Sequence, residues 1–248
     1  MSKRRFCFLG AAIIMAISCR KRPDPIGPPI TSSLTLQFEN MVGDRVLRLD
    51  STVYTNANND SFIVNKYRYY ISNIILITAE GKNFVEPESY HLIKEDLPSS
   101  KKFSISNVPA GQYTKIQFLI GVDSLRNVSG AQTGALDPSH TMFWDWETGY
   151  IMAMFEGKRV GTEDLLIMHI SGFKPPYNSI RQITLSLPSP VQVKEGIQPN
   201  IHITSDLAEW FKTPNLIDFD EIQITAGGSI GLQIADNYAD MFKIDHVD

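Results

Sequence analysis

Cysteine is nearly absent. The 248 residues hold two, Cys7 and Cys19, both close to the N-terminus. Everything beyond Cys19 therefore has no disulfide to staple it and must be stabilised by a packed core, for which about 230 residues suffice. No apolar run reaches the ~20 residues that a membrane-spanning helix needs. The formal net charge is -4, with none of the basic striping that nucleic-acid binding requires, so nucleic acid is excluded as a partner. Enzyme signatures are missing too: there is no Gly-x-Ser-x-Gly elbow, phosphate-cradling glycine loop, dinucleotide fingerprint or His-Glu-x-x-His. The acidic pairs Asp218/Asp220 and Glu86/Glu88 sit in polar, turn-like contexts, where solvated carboxylates are the default. The chain reads as non-enzymatic.

What is present begins with an export signal. Basic residues Lys3-Arg4-Arg5 precede an apolar run from Phe6 to Ile17, and Ala16-Ile17-Ser18 leads into Cys19. That is a signal-peptide layout, and the small residues before the cysteine match what a lipoprotein signal peptidase accepts. Residues 1–18 are read as a signal peptide, Cys19 as a lipidated N-terminus, and 19–31 as a proline-stiffened tether with nothing to bury. The protein is thus expected in the bacterial cell envelope, lipid-anchored, either facing the periplasm or at the outer membrane. The Arg20-Lys21-Arg22 stretch, lacking acidic residues, leans to the periplasm-facing side.

From Ser32 to Asp248 the sequence alternates with period two in short β-branched and aromatic runs: Leu34–Phe38, Val46–Leu49, Tyr67–Thr78, His91–Ile93, Phe103–Ile105, Tyr113–Val122, Tyr150–Phe155, Leu165–Ile170, Ile180–Leu187 and Ile201–Thr204. Ten short strands separated by glycine-bearing turns predict an all-β fold, a β-sandwich. Two short helices are expected near the C-terminus. One is capped by Asp206 with Glu209 reaching back, and the other runs from Asp236 through Phe242. One domain is the economical division; the alternative is two small β-domains meeting near Gly157. The least regular stretch, Asp123 to Gly149, holds Met142, Phe143, Trp144 and Trp146, which are costly to leave in water. It is expected to be an ordered, packed excursion.

Five histidines are the candidate metal donors. His202 shares its strand face with Asn200 and Thr204 and is expected to face solvent, while His246 falls in the tail. His91 reads either as a partly buried core residue or as a ligand. His140 precedes the Met-Phe-Trp run of the excursion. His169 lies in a run that is apolar on both faces, so its imidazole is expected to be buried with a partner, as a core histidine or as a ligand. Trp144 and Trp146 point to one face, with Asp145 opposite, if the backbone is extended there.

These residues carry a resemblance. Gly121-Val-Asp-Ser, Arg126-Asn, Ser129-Gly-Ala-Gln-Thr-Gly-Ala-Leu-Asp-Pro138 and Met142-Phe-Trp-Asp-Trp-Glu-Thr-Gly-Tyr150 resemble the MbnP-like copper-binding domain family. So do Phe38-Glu-Asn-Met-Val-Gly43, Tyr69-Tyr-Ile-Ser-Asn73, Val108-Pro-Ala-Gly-Gln-Tyr113, His169-Ile-Ser-Gly172 and Ile234-Ala-Asp-Asn-Tyr-Ala-Asp-Met-Phe242. The resemblance implies a β-sandwich envelope protein, with members in methanotrophs that bind copper through histidines and a tryptophan oxidised to kynurenine by a dihaem partner enzyme of the MauG/peroxidase type. Trp144 matches the oxidised tryptophan and His169 a ligand histidine. His140 and His91 are the spatial candidates for a second one. Trp146 stands where a copper-binding relative uses histidine, a departure that bears on copper affinity. The expected function is a lipid-anchored, non-enzymatic protein that binds or handles copper through Trp144 and His169. Two rivals stay open: a dihaem-oxidase substrate without metal, and a structural or ligand-binding lipoprotein assisting an outer-membrane transporter.

Overall fold

A computed structural model describes residues 30–248 apart from Ala131 and Trp146. The signal sequence, Cys19, nearly all of the tether and Trp146 lie outside the described residues. In chain order the strands are β1 (Thr31–Val42), β2 (Arg45–Val46), β3 (Val53–Thr55), β4 (Ser61–Thr78), β5 (Asn83–Val85), β6 (Tyr90–Lys94), β7 (Lys102–Pro109), β8 (Gly111–Ile120), β9 (Phe143–Asp145), β10 (Gly149–Arg159), β11 (Leu165–Ser171), β12 (Arg181–Val193), β13 (Asn200–Asp206), β14 (Ile224–Thr225) and β15 (Phe242–Val247). Helices α1 (Ser124–Asn127) and α2 (Gly228–Tyr238) interrupt them.

Two sheets form, as the all-β sandwich reading expects. The smaller runs β15-β13-β1-β2, with β7 also on β1. The larger runs β12-β8-β4-β10-β11-β14, with β3, β5 and β6 on β4 and β9 on β10. Alternation fixes which side chains meet between them: Leu34, Leu36 and Phe38 on β1, Ile201 and Ile203 on β13, and Tyr67, Tyr69 and Ile71 on β4 are all buried in one cluster. Phe38 of the small sheet meets Tyr69 of the large one edge-on at 6.4 Å, and Phe242 meets Phe118 at 5.2 Å. Such aromatic pairs add about 0.5–1.5 kcal/mol each beyond their buried area.

The large sheet is covered on its other face as well. Tyr70, Leu92, Tyr150, Met152 and Met154 form a second buried cluster with Leu136 and Met142 from the Asp123–Gly149 excursion. The excursion is therefore ordered and packed, because its apolar side chains cap a sheet face that would otherwise be wet. Gly157 lies inside β10, where a Cβ would come within 2.4 Å of the Ile63 carbonyl oxygen, so that position is a close strand contact.

The C-terminal helices differ from expectation. The first is a 3-10 turn, Leu207–Phe211, capped by Asp206 accepting from the Ala208 amide. Glu209 does not reach back but pairs with Lys212 at 2.8 Å. The second starts earlier, at Gly228, and ends at Tyr238, because Gly227 and Gly228 take the positive φ values that turn the chain into the helix. Phe242 opens β15 instead, since burying its ring against Phe38 and Phe118 outweighs one more helical turn. His246, read as a tail residue, is in that strand, paired with His202.

Candidate functional site

The Asp123–Gly149 excursion is fastened from both ends. Asp123 caps α1 by accepting from the Leu125 and Arg126 amides. Asn127, 1% exposed, donates to the Val122 and Asp123 carbonyls and accepts from the Tyr150 amide. The Tyr70 and Tyr150 hydroxyls donate to the carbonyls of Ala135 and Leu136, and the Ile151 amide to that of Met142. Gly149 permits the close approach: its φ is +78°, and a Cβ would lie 2.1 Å from Asn127 Oδ1. The chain then returns as the β9–β10 hairpin, whose turn is closed by Asp145 Oδ1 accepting from the Glu147 and Thr148 amides.

This hairpin sets Trp144 beside His169. The indole and imidazole centroids are 5.7 Å apart with planes inclined at 42°. Trp144 is 47% exposed, so packing accounts for only part of its placement. His169 is in register with Met154 on β10, and Met154 with Arg68 on β4. Arg68, Met154 and His169 thus form one row across the sheet, on the face that the excursion caps.

His169 Nε2 lies 2.9 Å from Glu156 Oε1, and Lys66 Nζ lies 2.8 Å from Glu156 Oε2. An ionised carboxylate only accepts, so Nε2 carries the proton and Nδ1 keeps its lone pair. A carboxylate holding the far nitrogen of an imidazole is the usual support for a metal-binding histidine. Burial pushes the Glu156 carboxyl up, but the hydrogen bonds from Lys66 and His169 outweigh it and bring the group below its ordinary range. Arg68 is taken up by Asp96, at 2.7 Å, and by the His140 carbonyl, at 3.2 Å.

The other candidates are distributed differently. His140 is brought alongside through its backbone contact with Arg68, while its Nε2 lies 3.1 Å from the Gly134 carbonyl oxygen. His91 is paired with Ile71 on the face turned towards the small sheet. There it stacks on Phe103 at 3.6 Å and contacts Glu86 at 2.9 Å. The large sheet therefore separates His91 from His169. Among the described residues, no three His, Cys, Asp or Glu donors converge around His169. An open groove of about 480 Å³ lies between the hairpin turn at Glu147 and Thr148 and the end of β11 at Ser171, with Gly172, Phe173 and Tyr177 beside it, and includes neither Trp144 nor His169. Glu156 and Lys66 escaped the sequence reading, because their link to His169 depends on strand register. The only signal was a lone carboxylate after the apolar run Tyr150–Phe155.

A family model described as MbnP matches residues 31–227. Among solved structures, MbnP from Methylosinus trichosporium is similar with a TM-score of 0.53 at 12% identity, covering 81% of this chain and 82% of that one. At that identity the likeness is one of fold. A comparison with curated proteins gives no match.

Proposed function

The chain belongs to the MbnP family, and on that premise we propose that it is a lipid-anchored envelope protein that binds copper at Trp144 and His169 once Trp144 has been oxidised. The placement of a half-exposed indole against an imidazole whose far nitrogen is held by a carboxylate carries the reading.

The residues fit a metal only in that oxidised form. An intact indole offers one donor and no acceptor, and Glu156 is already engaged by His169 and Lys66. The unmodified chain presents one free imidazole nitrogen here, with two cations nearby. Oxidation supplies what is missing. Two equivalents of an oxidant such as peroxide, each reduced to water, deliver one oxygen atom to C2 and one to C3 of the indole as the C2–C3 bond breaks. Water then releases C2 as formate, leaving an aniline nitrogen and a ketone as new donors. The exposure of Trp144 gives a dihaem partner enzyme access to the ring. His140, held beside Arg68, is the candidate for a second imidazole, and His91 is not part of the site.

One further reading has oxidised Trp144 serving without metal, since the carboxylate beside His169, Glu156, is already taken up by His169 and Lys66 and adds no ligand. The test is intact mass and copper content of protein processed in its native envelope, for wild type, Trp144→Phe and His169→Ala. Phenylalanine keeps most of the aromatic area but cannot be opened. Wild type should show a gain of one oxygen and loss of one carbon at Trp144. It should also carry copper in excess of both variants, with Trp144→Phe melting as wild type does. Modified Trp144 without excess copper would select the metal-free reading, and an unmodified Trp144 would sink both.

A further inference from the structure

On the small sheet, a separate set of residues converges. His202 on β13 and His246 on β15 are directly paired across the strands. Asn200 and Asp248 exchange backbone hydrogen bonds, of 2.8 and 3.0 Å, in the next pair. Successive side chains alternate between faces, and Ile201 and Ile203 are buried in the core, so Asn200, His202, His246 and Asp248 project together from the outer face. The imidazoles are stacked, with centroids 3.9 Å apart and planes inclined at 15°. One ring nitrogen of each histidine and a carboxylate oxygen of Asp248 lie within 4.8 Å of one another, the one such group of three among the described residues.

The surroundings prepare both imidazoles as ligands. His246 Nδ1 is 2.7 Å from Asp245 Oδ2, which places the proton on Nδ1 and leaves the Nε2 lone pair free. Asn200 Nδ2 lies 2.6 Å from His202 Nε2, while Asn200 Oδ1 is buried without a hydrogen-bond partner. His202 Nε2 also lies 3.4 Å from Asp248 Oδ1, so it is the ring nitrogen that faces the carboxylate, and an ion there would take the place of the Asn200 amide. For His246, Asp245 is the outer oxygen acceptor of the kind that metal-bound histidines use. The ring planes are nearly parallel, so a shared ion is reached by one ring turning. His246, with a side chain 53% exposed, has the room. His202 and His246 also border a groove of about 380 Å³ that includes Gln37, Glu39, Lys101 and Lys102, giving solvent a way in.

We infer that His202, His246 and Asp248 form a second metal site, for a divalent transition ion such as zinc or copper(II), with one coordination position left to water. Two imidazoles and one carboxylate suit those ions and not calcium or magnesium, which take oxygen ligands. The site is independent of Trp144 and His169, which lie on the other sheet. His246 and Asp248 also lie beyond the residues that the family model matches.

The test is a zinc titration of the untagged full chain, with zinc alone as the probe. Wild type and Trp144→Phe should each bind one zinc equivalent that His246→Ala loses, by more than about tenfold in affinity. Asp245→Asn should weaken it by roughly 10- to 100-fold through the outer acceptor. His246→Ala should melt as wild type does, because the residue is exposed. The inference is overturned if wild type binds zinc no more tightly than His246→Ala. Loss of the zinc equivalent in Trp144→Phe would overturn it too, by moving the binding to the other sheet.

Discussion

Asn127→Ala would remove the side chain that ties the Asp123–Gly149 excursion to β10. In the native structure its amide nitrogen is 2.7 Å from the Val122 carbonyl oxygen and 2.9 Å from that of Asp123, and its oxygen is 2.8 Å from the Tyr150 amide. The Asp123 carbonyl keeps a partner in the Asn127 backbone amide, so its loss is small. The Tyr150 amide and Val122 carbonyl are left buried and unmatched, at about 1–3 kcal/mol each. A total of roughly 2–6 kcal/mol follows, and for a chain of this size that lowers the Tm by roughly 5–25 °C. Circular dichroism melts, with urea titrations to extract the free energy, would measure it. Leu125→Ala, on the same turn but 73% exposed, is the control and should shift stability by no more than about 0.5 kcal/mol. If the two variants melt alike, the excursion is not fastened at Asn127, and the reasoning that places Trp144 through this anchor is wrong.

Two more outcomes are expected. The Glu156 carboxyl is held below its ordinary value of 4.5, so its contribution to stability is complete above that pH and drains away as the pH falls through the lower folded value. Glu156→Gln should therefore flatten the decline of Tm between about pH 5 and pH 3, and an unchanged acid profile would show that the Lys66–Glu156–His169 chain does not couple to folding. Cys19→Ala should release the protein from the membrane fraction into the soluble one; equal retention of the variant would mean that a lipid on Cys19 is not the anchor.

The all-β architecture could be read directly because it rests on local chemistry: apolar residues recurring every second position between glycine-bearing turns. The same alternation says which side chains share a face of one strand. It does not say which sheet the strand joins or what covers each face. His91 and His169 looked alike as histidines in apolar strands, and only the sandwich put one between the sheets and the other under the excursion. Glu156 became the partner of His169 through the register of β10 on β11, a relation that neither segment encodes alone. The distant pair of His202 and His246 was decided in the same way. Each seemed unremarkable in its own segment, one facing solvent and one in a tail, until hydrogen bonding of β15 to β13 set two imidazoles and a carboxylate on one surface. Period and composition are properties of a segment, whereas a site is a property of the distances between segments, and those are fixed only when the core closes.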